Sequence, residues 1–142
     1  MFHFQLVALS GKKFDDDAYE VVLPTLDGEI GVLEDHMPLF SVATTGVVMV
    51  RRQPKDPDHA REFYAINGGA IEVSGNSLRV LVDEADHADD INEAEAQAAL
   101  ERAQKMHVEA KDQVSLEHAQ ALVDRQAVRL QVAGLKRRHQ RK

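Results

Sequence analysis

Cysteine and tryptophan are absent from this 142-residue chain, proline occurs four times, and aromatic residues make up only 5% of it. Without cysteine there is no disulfide, no thiolate nucleophile and no zinc–thiolate site. With so few rings, a core must be assembled from Val, Leu, Ile and Ala. No apolar run approaches the roughly 18 residues of a membrane span. The opening residues, MFHFQLVALSGKK, lack a basic leader and a long apolar stretch, so no signal or transit peptide is expected and the expected compartment is cytoplasmic or organellar. What is present is a globular balance, 44% hydrophobic and 29% charged.

Charge is unevenly spread. Residues 1–90 hold 7 Lys and Arg against 17 Asp and Glu, a balance of −10, whereas residues 91–142 hold 10 against 7, a balance of +3. An acidic first half argues against nucleic acid as a partner. The basic end, LKRRHQRK, reads either as a solvated tail complementing a helix dipole or as a surface for an acidic partner.

The apolar period changes along the chain. In FHFQLVAL, Phe2, Phe4, Leu6 and Ala8 fall on one side, and YEVVLP, GVVMV, REFYAI, GAIEV and SLRVLV follow as short β-branched runs. Turn residues separate them, SGNS between the last two and RRQPKDPDHAR as a polar hairpin loop, which predicts an antiparallel sandwich or flattened barrel. Asp15–Asp17 read as a loop. From Ile91 the spacing becomes helical. Asn92 caps a first helix with Glu95 as its box partner, and Ala96, Ala99, Leu100, Ala103, Met106, His107 and Ala110 follow helical spacing. Ser115 caps a second, with Leu116, Ala119, Leu122, Val123, Ala127 and Leu130 facing inward. The fold class is mainly β plus α: a sandwich over residues 1–86, then an antiparallel two-helix hairpin over residues 87–142, each helix roughly 16–20 residues long. An alanine seam buries little area, so the hairpin is expected to be held weakly. The sequence leaves open a single stable hairpin or two interchanging arrangements.

Catalytic and metal motifs are missing from the pattern. No serine lies in a G-x-S-x-G elbow, and the seven histidines form no H-x-x-x-H or H-E-x-x-H pair. The acidic run DEADHADD, Asp83 to Asp90, has no EF-hand spacing and reads as a solvated linker favouring the next helix start. No catalytic residue and no metal site are expected.

Two segments carry a resemblance. GEIGVLEDHMPLFSVATTGVVMV resembles the loop G-E-x-G-x-x-x-x-H-x-P-L-x-x-x-x-x-x-G of the epsilon subunit of the rotary F-type ATP synthase. INGGAIEVSGNSLRVLVDEA is similar to that family's G-G-x-x-E-V-x-x-N-x-V-x-V-L-A-D-x-A, with Leu78 and Val82 departing from it. The resemblance covers nearly the whole chain. It implies a non-catalytic rotor part, peripheral on the cytoplasmic face of a bacterial inner membrane. Its sandwich meets the gamma subunit and the c-ring, and its hairpin either folds down or extends toward the alpha and beta subunits and inhibits hydrolysis.

Glu29 and His36 match positions that face the c-ring, and Glu34-Asp35 stand where many relatives have Pro-Gly. These four residues are the candidate partner contacts, with Leu33 and Met37 as apolar grip. Exposed ion pairs are worth about 0–1 kcal/mol each, so the acids orient docking rather than hold it. Some relatives bind ATP through I/L-D-x-x-R-A on the folded hairpin. Here Ile91 and Ala96 match, Asn92 replaces the Asp, and Glu95 replaces the Arg, while Arg102, Arg125 and Arg129 align with further arginines. A unit-charge contact at about 4 Å and effective dielectric near 20 is worth about 4 kcal/mol, so the Arg-to-Glu exchange weighs against nucleotide and no cofactor is expected. The alternatives are an ATP-sensing hairpin on a structural sandwich, or an unrelated ligand-binding sandwich.

Overall fold

A computed structural model describes residues 1–140, with side chains through Arg138. Eight strands come first: β1 (Phe2–Ala8), β2 (Gly11–Ala18), β3 (Glu20–Thr25), β4 (Gly28–Val32), β5 (Leu39–Arg51), β6 (Glu62–Ser74), β7 (Ser77–Val82) and β8 (Ala85–His87). Two helices follow, α1 (Glu93–Glu109) and α2 (Gln113–Gln140). The strands are ordered β2-β1-β7-β6-β5-β3-β4, with β8 pairing on β6. Phe14 on β2 and Val32 on β4 stand at opposite ends of that order yet belong to one buried cluster. The sheet therefore folds over on itself into a sandwich. All pairings are antiparallel except β1 with β7.

Alternation builds the core. Phe2, Phe4, Leu6 and Ala8 are buried as the sequence predicts, and β7 repeats the pattern with Leu78, Val80 and Val82. REFYAI and GAIEV are one 13-residue strand, and β5, also 13 residues, begins before GVVMV. They pair from Leu39↔Val73 to Val50↔Glu62.

Asp15–Asp17, read as a loop, lie in β2. That strand is an edge, where outward acids discourage pairing with another chain. Asp16, on the face shared by buried Phe14 and Ala18, reaches Arg52 at 3.1 Å. The two consecutive glycines of β6 mark a close approach. A Cβ on Gly69, at φ 156°, would lie 2.0 Å from the Leu81 carbonyl oxygen.

Asn92 does cap α1, its Oδ1 accepting the Glu95 backbone N–H at 3.0 Å. The second cap is Asp112 rather than Ser115. Its carboxylate accepts the Ser115 N–H at 2.7 Å and the Ser115 hydroxyl at 3.2 Å, and the backbone bond first, then the hydroxyl, holds that carboxyl below its usual range. α2 is longer than expected at 28 residues, about 42 Å, because the helix runs on through the basic segment. The hairpin seam is alanine, with Ala96, Ala103, Ala119 and Ala133 buried together with Gln126. Met106 and Ala127, assigned to that seam from spacing, are exposed.

The hairpin lies down on the sandwich. A second cluster joins Val132 of α2 to Phe63 and Ala65 of β6 and to Ala88, with Val47, Met49, Ile91, Val128 and Leu135 packed around it. Val132 is fully buried, which is worth about 1.5–3 kcal/mol. Replacing Gly69 with Ala is expected to cost about 3 kcal/mol by forcing β6 from β7, whereas Gly31→Ala, which meets nothing within 4 Å, should stay within about 0.5 kcal/mol. Urea unfolding midpoints of the two variants check this.

Candidate functional site

Leu33 to His36 form a tight turn closed by the His36 N–H donating to the Leu33 carbonyl at 3.2 Å. Its third residue, Asp35, has φ 66°, the left-handed region that favours glycine. Glu34-Asp35 thus adopt the turn for which Pro-Gly is the natural pair, and Asp35 bears the steric cost. The His36 Nδ1–H donates to the Met37 carbonyl at 2.7 Å. Glu34, Asp35 and His36 therefore form one group. Glu29, exposed on β4 opposite Pro24, lies at the other end of that strand, about 15 Å of extended chain away.

Beside the turn, apolar residues face outward where spacing alone gave no warning. Met37 is 78% exposed and Phe40 82%. Pairing aligns Val42, Ala70 and Leu81 in one row across β5, β6 and β7, with Phe40, Glu72 and Arg79 in the next. Val42 and Leu81 are also about half exposed. The available signal was the run LFSVA, whose second and fourth residues are apolar on the face that Ser41 and Ala43 do not share. Such a face is the surface form of a docking site.

The third locus joins the acidic linker to α2. Glu84 pairs with Arg125, Asp86 with Arg129 at 3.2 Å, Asp89 with Lys136, and Glu93 with Arg137 at 2.7 Å. Arg129 Nε faces Asp86 off the line of a hydrogen bond, so that contact is ionic, while its Nη1 donates to Gln126 Oε1 at 3.0 Å. The linker read as solvated is thus partly neutralised, and so is the basic segment at Lys136 and Arg137. His139 to Lys142, the end of that segment, lie outside the described side chains.

Arg125 and Arg129 are brought together against the linker, and Arg102, exposed on α1, is in none of these ion pairs. Asn92 spends its side chain on the helix cap, and Glu95 is exposed. An open cleft of about 660 Å³ beside Arg125 is lined by Lys13, Asn67, Asp83, Glu84 and His118 among others. Its cations face carboxylates at least as numerous.

The fold has two parts: a sandwich with exposed apolar side chains on its outer face and a helical hairpin resting on it. A profile of the ATP synthase, Delta/Epsilon chain, beta-sandwich domain matches residues 1–88, and one of the ATP synthase, Delta/Epsilon chain, long alpha-helix domain matches residues 89–134. The ATP synthase epsilon chain of Lactobacillus delbrueckii subsp. bulgaricus is 32% identical over 137 residues, covering 94% of this chain and 93% of that one. That of Gloeobacter violaceus is 33% identical over 130 residues, covering 92% and 95%. Among solved structures, a chain of the Euglena gracilis mitochondrial ATP synthase, in an OSCP/F1/c-ring assembly, shares the fold at TM-score 0.76 and 19% identity, over 92% of this chain and 79% of that one. This chain belongs to the ATP synthase delta/epsilon family, and within it to the non-catalytic epsilon subunits of the F-type enzyme. Among the described residues, no helix is long and apolar enough to cross a membrane.

Two measurements check the local chemistry. Asp35→Ala should cost about 1 kcal/mol, since alanine tolerates positive φ less well than Asp, while Asp35→Gly should cost nothing; thermal midpoints report both. Lys136, by hydrogen bonding first, holds the Asp89 carboxyl below its usual range. The pair's stabilisation is then present above the unfolded carboxyl pKa of about 3.9 and fades as pH falls through the lowered folded value. In urea midpoints followed against pH, Lys136→Met should remove that part of the acid dependence.

Proposed function

We propose that the chain is a rotor subunit of a proton-translocating synthase, in which the sandwich couples the gamma subunit to the c-ring and the hairpin restrains ATP hydrolysis when it leaves the sandwich. The exposed apolar row Val42–Ala70–Leu81, with Phe40 in the next row beside Glu72 and Arg79 and with Met37 and the Glu34–His36 turn nearby, carries this reading. An apolar surface rimmed by charge fits permanent subunit contact better than solvent. The apolar row with Phe40 fits gamma, and the turn, with Glu29 at the far end of β4, fits the basic polar loops of a c-ring. On this reading the protein sits peripherally, on the side of the membrane where the catalytic head stands; in a bacterium that is the cytoplasmic face. In its extended form the basic face of α2 meets the alpha and beta subunits. The Euglena likeness and a second, to the central stalk and c-ring of the Tetrahymena thermophila mitochondrial synthase at TM-score 0.62 and 12% identity, over 92% of this chain and 95% of that one, support such a setting.

Nucleotide has no part in this reading. Arg125 and Arg129 already face Glu84 and Asp86, and Glu95 puts a negative charge where ATP-binding relatives have a positive one. Calorimetric titration of ATP into the isolated chain should show no binding at micromolar concentrations; a micromolar Kd would revive the sensor reading.

In a reconstituted complex, a chain ending at Asp90 should hydrolyse ATP faster than the full chain and keep proton coupling. Unchanged hydrolysis would remove the restraint from the account. Glu34→Pro with Asp35→Gly should weaken the salt dependence of c-ring binding and change affinity less than tenfold, about 1.4 kcal/mol; an unaltered salt dependence would mean the acids play no part.

A further inference from the structure

The ion pairs of α2 are ordered. Reading up the linker, Glu84, Asp86 and Asp89 meet Arg125, Arg129 and Lys136 in the same sequence, and Glu93 at the start of α1 meets Arg137. At about 100° per residue, Arg125, Arg129 and Lys136 fall within about 40° of one another on α2. Val128, Val132 and Leu135, which pack on β5, β6 and the linker, form a parallel stripe about 70° round the helix. The docked face is therefore half charge and half hydrocarbon, and only Val132 in the hydrocarbon half is fully buried. The acids come from consecutive elements at the junction of sandwich and hairpin: Glu84 just before β8, Asp86 within it, Asp89 in the turn that follows and Glu93 at the start of α1.

We infer that this linker is an ionic latch: an acidic strip inside the chain that occupies the basic face of α2, so that the hairpin's hold on the sandwich is set by ionic strength and by competing polyanionic surfaces. The Asp89–Lys136 pair lies at the rim, with Asp89 59% exposed, where salt screens it most, while Glu84 Oε2 and Arg129 Nε are covered, so their pairs are screened less. A basic helix face cannot pair with the linker and with an acidic partner surface at once, so release and partner binding are one exchange of counter-charges. The latch is a property of the isolated chain, and the rotor reading survives its failure.

Native-state hydrogen exchange on the full-length chain tests it, with β1 and β7 amides as internal standards of folding. Raising KCl from about 20 to about 500 mM should reduce protection of α2 roughly tenfold without moving β1 and β7. Glu84→Gln with Asp86→Asn and Asp89→Asn should lower α2 protection at low salt to the same degree and abolish its salt dependence. Val132→Ala should lower protection while leaving the salt dependence intact, which separates charge from packing. A poly-glutamate peptide should reproduce the effect of salt at about 20 mM KCl and lose it at about 500 mM. Salt-independent α2 protection in the native chain, or a neutralised linker that keeps the native salt dependence, overturns the latch.

Discussion

Everything the hairpin does depends on the seating of α2 against β5, β6 and the linker. Among the described residues, that contact contains a single fully buried aliphatic side chain of α2, Val132, and a row of ion pairs. The sandwich is built differently. Its core joins residues from every strand, with Phe4, Leu6, Leu23, Ile71 and Leu78 all fully buried. One half of the molecule is thus fixed by hydrocarbon, and the other is set upon it by a contact in which charge counts as much as burial. A few kcal/mol of differential interaction is enough to shift a two-state contact.

The same contrast explains what was legible in the sequence. β1 and β7 alternate because one face is buried and the other is not, and that period of two is local information. α1 was legible for a similar reason, since Asn92 and Glu95 make their cap within one turn. β2 was not, because only Phe14 and Ala18 are buried while its acids line an edge. β4 and the first half of β5 were hidden by glycine and by outward apolar residues that break alternation. The hairpin's second cap was misplaced by three residues because Asp112 and Ser115 both suit the role, and only geometry shows that the serine is the donor.

The candidate sites divide along the same line. Glu34, Asp35 and His36 are adjacent in sequence and meet on one turn, whereas Glu29, linked to them by pattern, is at the far end of β4. The Glu84–Arg125 and Asp86–Arg129 pairs join segments some forty residues apart, and no local motif encodes them. Their only trace was statistical, the balance of −10 before residue 91 against +3 after it. Family membership names the chain's place among synthase subunits. The pairing shows how this sequence uses arginines that could otherwise face a phosphate.

The central claim is that the docked hairpin is the state permissive for hydrolysis and the released hairpin the restraining one. The chain has no cysteine of its own, so Ala88→Cys with Val132→Cys offers a pair of thiols across the docked contact that a short reversible cross-linker can join. The measurement is the ATP hydrolysis rate of the reconstituted complex carrying this chain, before cross-linking, after it, and after reversal. The account predicts that fixing the hairpin down raises hydrolysis to the rate of a complex whose chain lacks the hairpin, and that reversal restores the restraint. A cross-linked complex that stays as slow as the free one, or becomes slower, would contradict it.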